Sequence, residues 1–559
     1  GWPMNVFVTP DKVPFFGGTY FPPSPRYGMP SWQQILMSIA AAWPERRVEL
    51  MQSANDILGE LRRMSITEFS NAGLDEELSD IAFQSFVRSF DAKNGGWGGA
   101  PKFPQAMSME FLLRHWKRTG NGNALEMVKH TALKMASGGI YDQLGGGFHR
   151  YAVDAIWLVA HFEKMLYDNA QLIRVYLHLF QITGDRFFKR IAVETLDYVI
   201  REMLDVAGGF YSSQDADSEG EEGKFFVWKP EEVADVLGAK DAAEFSKVYD
   251  VTRVGNFEGS NILNLPNPPI EKGDAAFEPS RRRLFEAREK RIKPFRDEKV
   301  LTAWNGLMLA AFAEASAILN DNTYLETAKR NADYLLSNLK QGDRVLRTWK
   351  DGKAKLNGYI EDFSNLADGL IELYQVSGEE RYLHEAKALA DTMITEFWDE
   401  ENGGFFFTSN DHEELIVRSK DFIDNATPSG NSVASDVLIR LSKFYGDERY
   451  EQFALTALRQ VAPQIKRFPS GFGRALSTLE FHLSEVKEIA LIGDPGGTLE
   501  REVWSEYRPS KVVAIGDGTS AIPVLRDRLQ IDGLPTAYVC ENFVCQRPVT
   551  TVDELRKLI

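Results

Sequence analysis

The sequence predicts a mainly α-helical protein built as a ring of helical hairpins, and three observations carry that expectation. First, turn residues recur at Gly184, Asn320, Gly378 and Gly446. Each is followed four positions later by an aromatic residue (Phe188, Tyr324, Tyr382, Tyr450) and four further on by alanine (Ala192, Ala328, Ala386, Ala454). An aromatic and a small residue at i and i+4 share one helix face, so neighbouring helices can approach closely. Second, a helix starts sixteen residues before each turn, at Asp168, Trp304, Asp362 and Gly430, and reads as apolar nearly all round, as in Leu172, Ile173, Tyr176, Leu177 and Phe180. Such a helix is buried on every side. Third, the helices after the turns are amphipathic, as over 382–397. Buried and half-exposed helices in alternation make an inner and an outer ring.

Along the chain, residues 1–30 read as strands and turns, with Val6–Val8 and Pro14–Tyr20 as the extended runs. Ser31 is placed to cap a helix that continues, with interruptions, to about Met64, and polar 65–73 reads as a linker. A weaker fifth copy of the repeat covers 107–137. The starts at 168, 304, 362 and 430 are spaced by 136, 58 and 68 residues, so the first gap should hold about one extra unit beside an insertion around 208–280. Helices near 75–90 and 474–485 are placed to close the ring, for six hairpins. Glycine-aromatic loops at Gly95–Gly99, Gly208–Tyr211 and Gly403–Phe406 are expected at the funnel end that also holds the first turns of the inner helices. Residues 486–559 change to strands at 488–492 and 512–515, a helix near Leu499–Tyr507, a hairpin at Tyr538–Cys545 and a last helix from Val552. Three regions follow: 1–70, 71–485, and a small α/β appendage over 486–559.

The net charge of −17 argues against a broad nucleic-acid surface, since phosphate binding needs clustered Lys and Arg. The one compact basic run, Arg281–Arg283, reads as a solvated helix face. No uninterrupted apolar run approaches ~20 residues, which argues against a membrane span, and no signal peptide is apparent. The opening Gly1-Trp2-Pro3-Met4-Asn5-Val6 reads as the middle of a domain. Two cysteines, Cys540 and Cys545, fit a reducing, cytoplasmic setting and read as small strand residues, too widely spaced for a zinc pair. No cofactor is indicated.

The densest chemistry lies in Gly145–Tyr151 and His161–Asn169, which hold two of the eight histidines. His149 and His161 suit proton transfer near neutral pH, with Arg150, Glu163, Lys102 and Asn169 as substrate contacts. Asp168 and Asp362 occupy equivalent first-turn positions, where a helix dipole alone could favour them; the functional reading is a carboxylate pair facing one sugar, with Glu361 a third acid. The acidic loop Ser212–Glu221 lacks the spacing of an EF-hand, leaving Asp215 and Asp217 as substrate-facing candidates and no metal assigned. Trp304 offers a flat apolar face for sugar C–H groups. Asn305, Ser429 and Asn431 offer hydrogen bonds, and as helix starters they also have a purely structural reading. Gly493–Thr498, between strand and helix, reads as a plain turn.

Several motifs resemble one family. Gly1–Phe7 through Gly17–Pro23, Gly99–Pro104, His161–Asn169, Leu301–Gly306, Pro428–Ala434 and the Tyr538–Gln546 pattern together resemble the YyaL / spermatogenesis-associated protein 20 family over essentially the whole chain. The resemblance implies a thioredoxin-like domain, of which 1–70 is a remnant, joined to an (α/α)6 toroid of the kind found in glycosidases and sugar epimerases. It further implies a cysteine pair upstream of Gly1, with Pro3 as the cis-proline that faces it. Epimerases of this fold place histidines on two different inner helices, whereas His149 and His161 come from one region, which favours hydrolysis or sugar binding. The expected function is carbohydrate-active, hydrolysing or isomerising a small sugar in the funnel. The alternative is a thioredoxin-linked redox protein whose toroid is a docking module.

Overall fold

A computed structural model describes residues 4–65, 72–267, 274–413 and 415–559; Pro3, the expected cis-proline, lies outside them. Strands Asn5–Val8 and Pro14–Gly18 pair antiparallel with Val6 opposite Gly17. Helices α1 (Trp32–Glu45) and α2 (Arg47–Ser65) follow. Ser31 caps α1 as expected: its hydroxyl accepts from Gln34 N, while the Gln34 amide accepts from Ser31 N at 2.9 Å. This reciprocal arrangement satisfies two otherwise orphaned donors.

The ring consists of α3 (Glu76–Ser89), α4 (Ala106–Thr119), α5 (Gly122–Ser137), α6 (Leu166–Thr183) and α7 (Arg186–Tyr198). After an insertion it continues with α11 (Thr302–Leu319), α12 (Asn322–Asn338), α13 (Ile360–Ser377), α14 (Glu380–Phe397), α15 (Gly430–Tyr445), α16 (Glu448–Ile465) and α17 (Gly473–Leu483). Consecutive inner helices pack in a closed circuit, α4 on α6, α11, α13, α15, α17 and back onto α4. The hairpin turns explain why the sequence signal was regular. Each inner helix from α4 to α15 ends on a left-handed residue (Gly120, Gly184, Asn320, Gly378, Gly446). Glycine and asparagine tolerate that conformation at little cost. Four of these are followed by a side chain that caps the outer helix: Asn121, Asp185, Asp321 and Asp447.

The sixth hairpin is closed by α3 and α17, both predicted. Among the described residues no extra hairpin of the ring occupies the 136-residue gap. Instead, α8 (Pro230–Leu237), α9 (Ala239–Val248) and α10 (Asp274–Arg288) fill it around their own apolar cluster of Trp228, Val233, Phe245, Tyr249 and Leu284. The basic run belongs to this insertion, and Arg281 is buried rather than solvated, with its guanidinium 2.7 Å from Glu194. Helix α11 is apolar and long enough to cross a membrane by composition, but its residues are mostly buried between α6 and α13. Gly306 permits that crossing: a Cβ there would lie 2.4 Å from the backbone of Asn365.

The C-terminal sheet sets Lys487–Ile492 between parallel Lys511–Gly516 and antiparallel Thr536–Glu541, with Val544–Cys545 on the outer edge. Helices α18 (Thr498–Trp504) and α19 (Val552–Leu555) complete it. This unit packs on the toroid at the C-terminal ends of the inner helices: Val513 N donates to Gln375 Oε1 (3.0 Å), and Gln181 Nε2 donates to Trp504 O (2.7 Å). The cysteines are not merely small strand residues, because Cys540 and Cys545 form a disulfide across the hairpin.

Candidate functional site

The first turns of the inner helices define the funnel mouth, and five predicted residues, Arg150, His161, Glu163, Asp168 and Trp304, lie there with their neighbours. Arg150 Nη1 donates to Glu163 Oε2 at 2.9 Å. His161 lies with Nδ1 2.7 Å from Glu222 Oε1 and Nε2 3.7 Å from Glu163 Oε2, its ring stacked on Tyr151. Glu163 foremost, and then Glu222, hold the imidazole above its ordinary value, while His161 and Arg150 hold Glu163 below the usual carboxylate range. Asp168 is only 7% exposed, and among the described residues its Oδ2 has no hydrogen-bond partner. Burial, reinforced by Glu163 and opposed by Arg150, raises its carboxyl well above the usual range. Tyr167 meets Trp304 edge-on at 4.7 Å, bringing two aromatic side chains beside Asp168.

Other predicted residues are committed elsewhere. Asp362 does not pair with Asp168: the charges that act on Asp168 are Arg150 and Glu163, and those that act on Asp362 are Arg347 and Glu361. The Asp362 carboxylate accepts from Tyr359 N (2.9 Å), Ala303 N (3.0 Å) and Arg347 Nη1 (3.1 Å), stitching α13 to α11. Glu361 is held by the same Arg347 at 2.7 Å. His149 is buried between Phe162 and Phe226 with Nδ1 2.8 Å from Phe162 O. Burial and the Lys164 ammonium push its imidazole down to about 3, so it stays neutral and is not placed to shuttle protons. Lys102 is buried against Asp91 at 2.8 Å, just as Lys164 binds Asp142 and Lys420 binds Asp399. In each pair the acid organises a glycine-rich turn and the lysine neutralises it.

Asn169, Asn305 and Asn431 form a threefold repeated clamp. Each amide oxygen accepts the N–H, and each amide nitrogen donates to the C=O, of one residue: Phe148, Phe210 and Phe405 respectively. The loops therefore dock on the inner helices through asparagines with little left for a ligand. Ser429 caps α15 and donates to Asp421 O. Asp215 and Asp217 are exposed in the hairpin of the insertion.

Below the mouth lies what the sequence reading missed. The inner helices are not apolar all round, since every one of them sends charge into the lumen. Arg174 of α6 grips Glu314 of α11 through two bonds of 2.8 and 2.9 Å. Arg440 of α15 bonds Asp368 and, at 2.8 Å, Glu372 of α13. Arg474 of α17 reaches Asp436 at 2.8 Å and Asp368 at 3.1 Å. His178 sits between Glu110 of α4 (2.7 Å) and Glu314 (3.3 Å), and Arg114 also bonds Glu110 at 2.8 Å. The signal was available: Glu110/Arg114, Arg174/His178, Asp368/Glu372 and Asp436/Arg440 are i, i+4 pairs, hence one stripe on each helix. Two cavities of about 50 Å³ flank this network, each with room for a few waters. The lower one is closed by Trp504, Tyr507 and Lys511 of the C-terminal unit. The upper one is bordered by Pro428, and the neighbouring Ala426 O accepts from Gln171 Nε2 at 2.9 Å, so the loop before α15 bridges the mouth. Among the described residues no cluster of three metal-ligating side chains occurs.

The network carries a pH signature. Burial opposes charge on His178, but Glu110 and Glu314 outweigh it and raise the imidazole to about 9. A folded-state value above the unfolded ~6.5 means a stabilising contribution that is complete below pH ~6.5 and lost as pH rises through about 9. Its size is on the order of 3 kcal/mol. In an NMR titration His178 is expected to remain an imidazolium at pH 8; a ring neutral at pH 7.5 would contradict the assignment.

Comparison with known proteins places these features in context. Residues 1–62 match the family model Thioredox_DsbH, described as a protein of unknown function, DUF255. The whole chain aligns with spermatogenesis-associated protein 20 of Homo sapiens at 33% identity, covering 79% of that protein. It also aligns with uncharacterized protein B0495.5 of Caenorhabditis elegans at 29%, covering 83% of it. Among solved structures, a D-mannose isomerase is similar at TM-score 0.47 and 14% identity, over 69% of this chain and 85% of that one. A GH76 α-mannanase from Bacteroides thetaiotaomicron is similar at TM-score 0.46 and 10% identity, over 74% and 96%.

Proposed function

This chain belongs to the spermatogenesis-associated protein 20 family, and for it we propose an enzyme that hydrolyses or isomerises a small sugar at the funnel mouth. The observation that carries the reading is a pair of neighbouring carboxyls whose environments push them in opposite directions: Asp168 upward, Glu163 downward. Carboxyls separated in this way can act as an acid and a base at one pH. Asp168, whose burial favours the neutral carboxyl, donates a proton to the departing or carbonyl oxygen. Glu163, ionised beside Arg150 and His161, accepts one from water or from a sugar carbon. Trp304, half-buried, offers a ring face to sugar C–H groups. Entry of the substrate moves the loop at Asn425–Pro428 off Gln171, whose side chain bonds Ala426 O at the border of the cavity.

The test is a panel of mono- and disaccharides offered to the wild type, Asp168→Asn and Glu163→Gln. Wild-type turnover is expected with one member of the panel, and each substitution should lower it about 10²–10⁴-fold while the circular dichroism and melting curve stay native. Absence of wild-type binding and turnover across the panel would overturn the proposal.

A further inference from the structure

Outside the funnel, one buried cation lacks the partner its environment demands. Arg528 is 8% exposed. Its Nη1 donates to Val524 O, its guanidinium lies over the Tyr538 ring, and among the described residues it makes no ion pair; Glu488, the carboxylate that acts on it, lies beyond ion-pair distance and accepts from Phe543 N. Its Nη2 instead points at two sulfurs, Cys540 Sγ at 3.2 Å and Cys545 Sγ at 3.0 Å. A neutral disulfide compensates a buried guanidinium poorly, whereas a thiolate would do so well. The arrangement therefore favours the reduced pair.

The two sulfurs are also unequal. Cys540 is fully buried in the central part of the sheet, while Cys545 is exposed on the edge strand. The hairpin that they bridge is held independently of the disulfide: Phe543 N donates to Glu488 Oε2 at 2.7 Å, and Lys443 Nζ meets Asn542 Oδ1 at 3.2 Å. The bond closes a loop of sequence separation 5, at the short end of the range over which cross-links restrain an unfolded chain. Breaking it leaves the hairpin's other contacts in place.

We propose that Cys540–Cys545 is a thiol–disulfide exchange site for a dithiol reductant, with Arg528 as the residue that receives the leaving thiolate. The thiolate of the dithiol attacks exposed Cys545 Sγ. A mixed disulfide forms, the Cys540–Cys545 bond breaks, and its electron pair passes to Cys540 Sγ, which Arg528 holds as the thiolate. The second thiolate of the donor then attacks its own sulfur in the mixed disulfide and releases Cys545, which takes a proton from solvent. Two electrons move, so the donor is oxidised to its disulfide and the protein pair is reduced. This activity is independent of the sugar chemistry proposed for the funnel.

The test uses the full chain equilibrated in dithiothreitol buffers of graded reduced-to-oxidised ratio, alkylated, and read by mass. Wild type is expected to reach half reduction at a ratio at least tenfold less reducing than Arg528→Gln, with Arg528→Lys restoring most of the difference. With an aromatic disulfide reagent, Cys545 in Cys540→Ser should label at least tenfold faster than Cys540 in Cys545→Ser. A midpoint difference below threefold between wild type and Arg528→Gln would overturn the role of Arg528. Faster labelling of Cys540, or wild-type reduction that occurs only as the circular dichroism is lost, would overturn the site.

Discussion

Arg174→Met is expected to destabilise the fold by about 3–5 kcal/mol, the usual cost of removing one partner from a buried ion pair. Arg174 faces three carboxylates: Glu314 through two bonds, Glu372 at 3.4 Å and Asp368 at 3.6 Å. Methionine fills much of the same space but leaves Glu314, among the described residues, with His178 as its one remaining ion-pair partner. Desolvation then acts on acids that the arginine had kept ionised. The effect should appear as a lower midpoint in urea with an unchanged slope, the signature of altered stability rather than altered compactness. Adding Glu314→Gln should recover part of the loss, because removing both charges costs less than stranding one. A loss below about 1 kcal/mol would mean that lumen waters or the neighbouring arginines neutralise Glu314 unaided.

Asn305→Leu is expected to cost at least about 3 kcal/mol and to free the loop at Gly208–Tyr211. Asn305 is fully buried and makes four hydrogen bonds: from Phe210 N (2.8 Å) and Asn331 Nδ2 (3.0 Å), and to Phe210 O (3.0 Å) and Leu301 O (2.9 Å). Leucine matches its volume and satisfies none of these groups, each of which then costs about 1–3 kcal/mol if it stays buried. Hydrogen exchange at the Phe210 amide should rise by orders of magnitude. Asn305→Asp, which can still accept from Phe210 N, should protect that amide better than leucine does. An unchanged Phe210 exchange rate in Asn305→Leu would remove the clamp from the account of how the loops dock.

The sequence alone determined the ring. Its periodic Gly or Asn turns, with Phe188/Ala192 and their counterparts, are local requirements, since a left-handed cap or an i, i+4 face is satisfied by residues close in the chain. The N-cap at Ser31 and the positions of the C-terminal strands were legible for the same reason. The site was legible only in part. The mouth cluster of Arg150, His161, Glu163 and Asp168 lies within twenty residues of sequence and survives in the fold, whereas the pairing of Asp168 with Asp362 does not. Their equivalent repeat positions fix the same height in the ring but not which neighbours their oxygens meet. The lumen network and the asparagine clamps join residues on different helices and loops, and Arg528 meets its disulfide from a separate segment 12 residues before Cys540. Hydrogen bonds and ion pairs depend on separations of a few ångströms, and only the tertiary packing of the helices sets those distances.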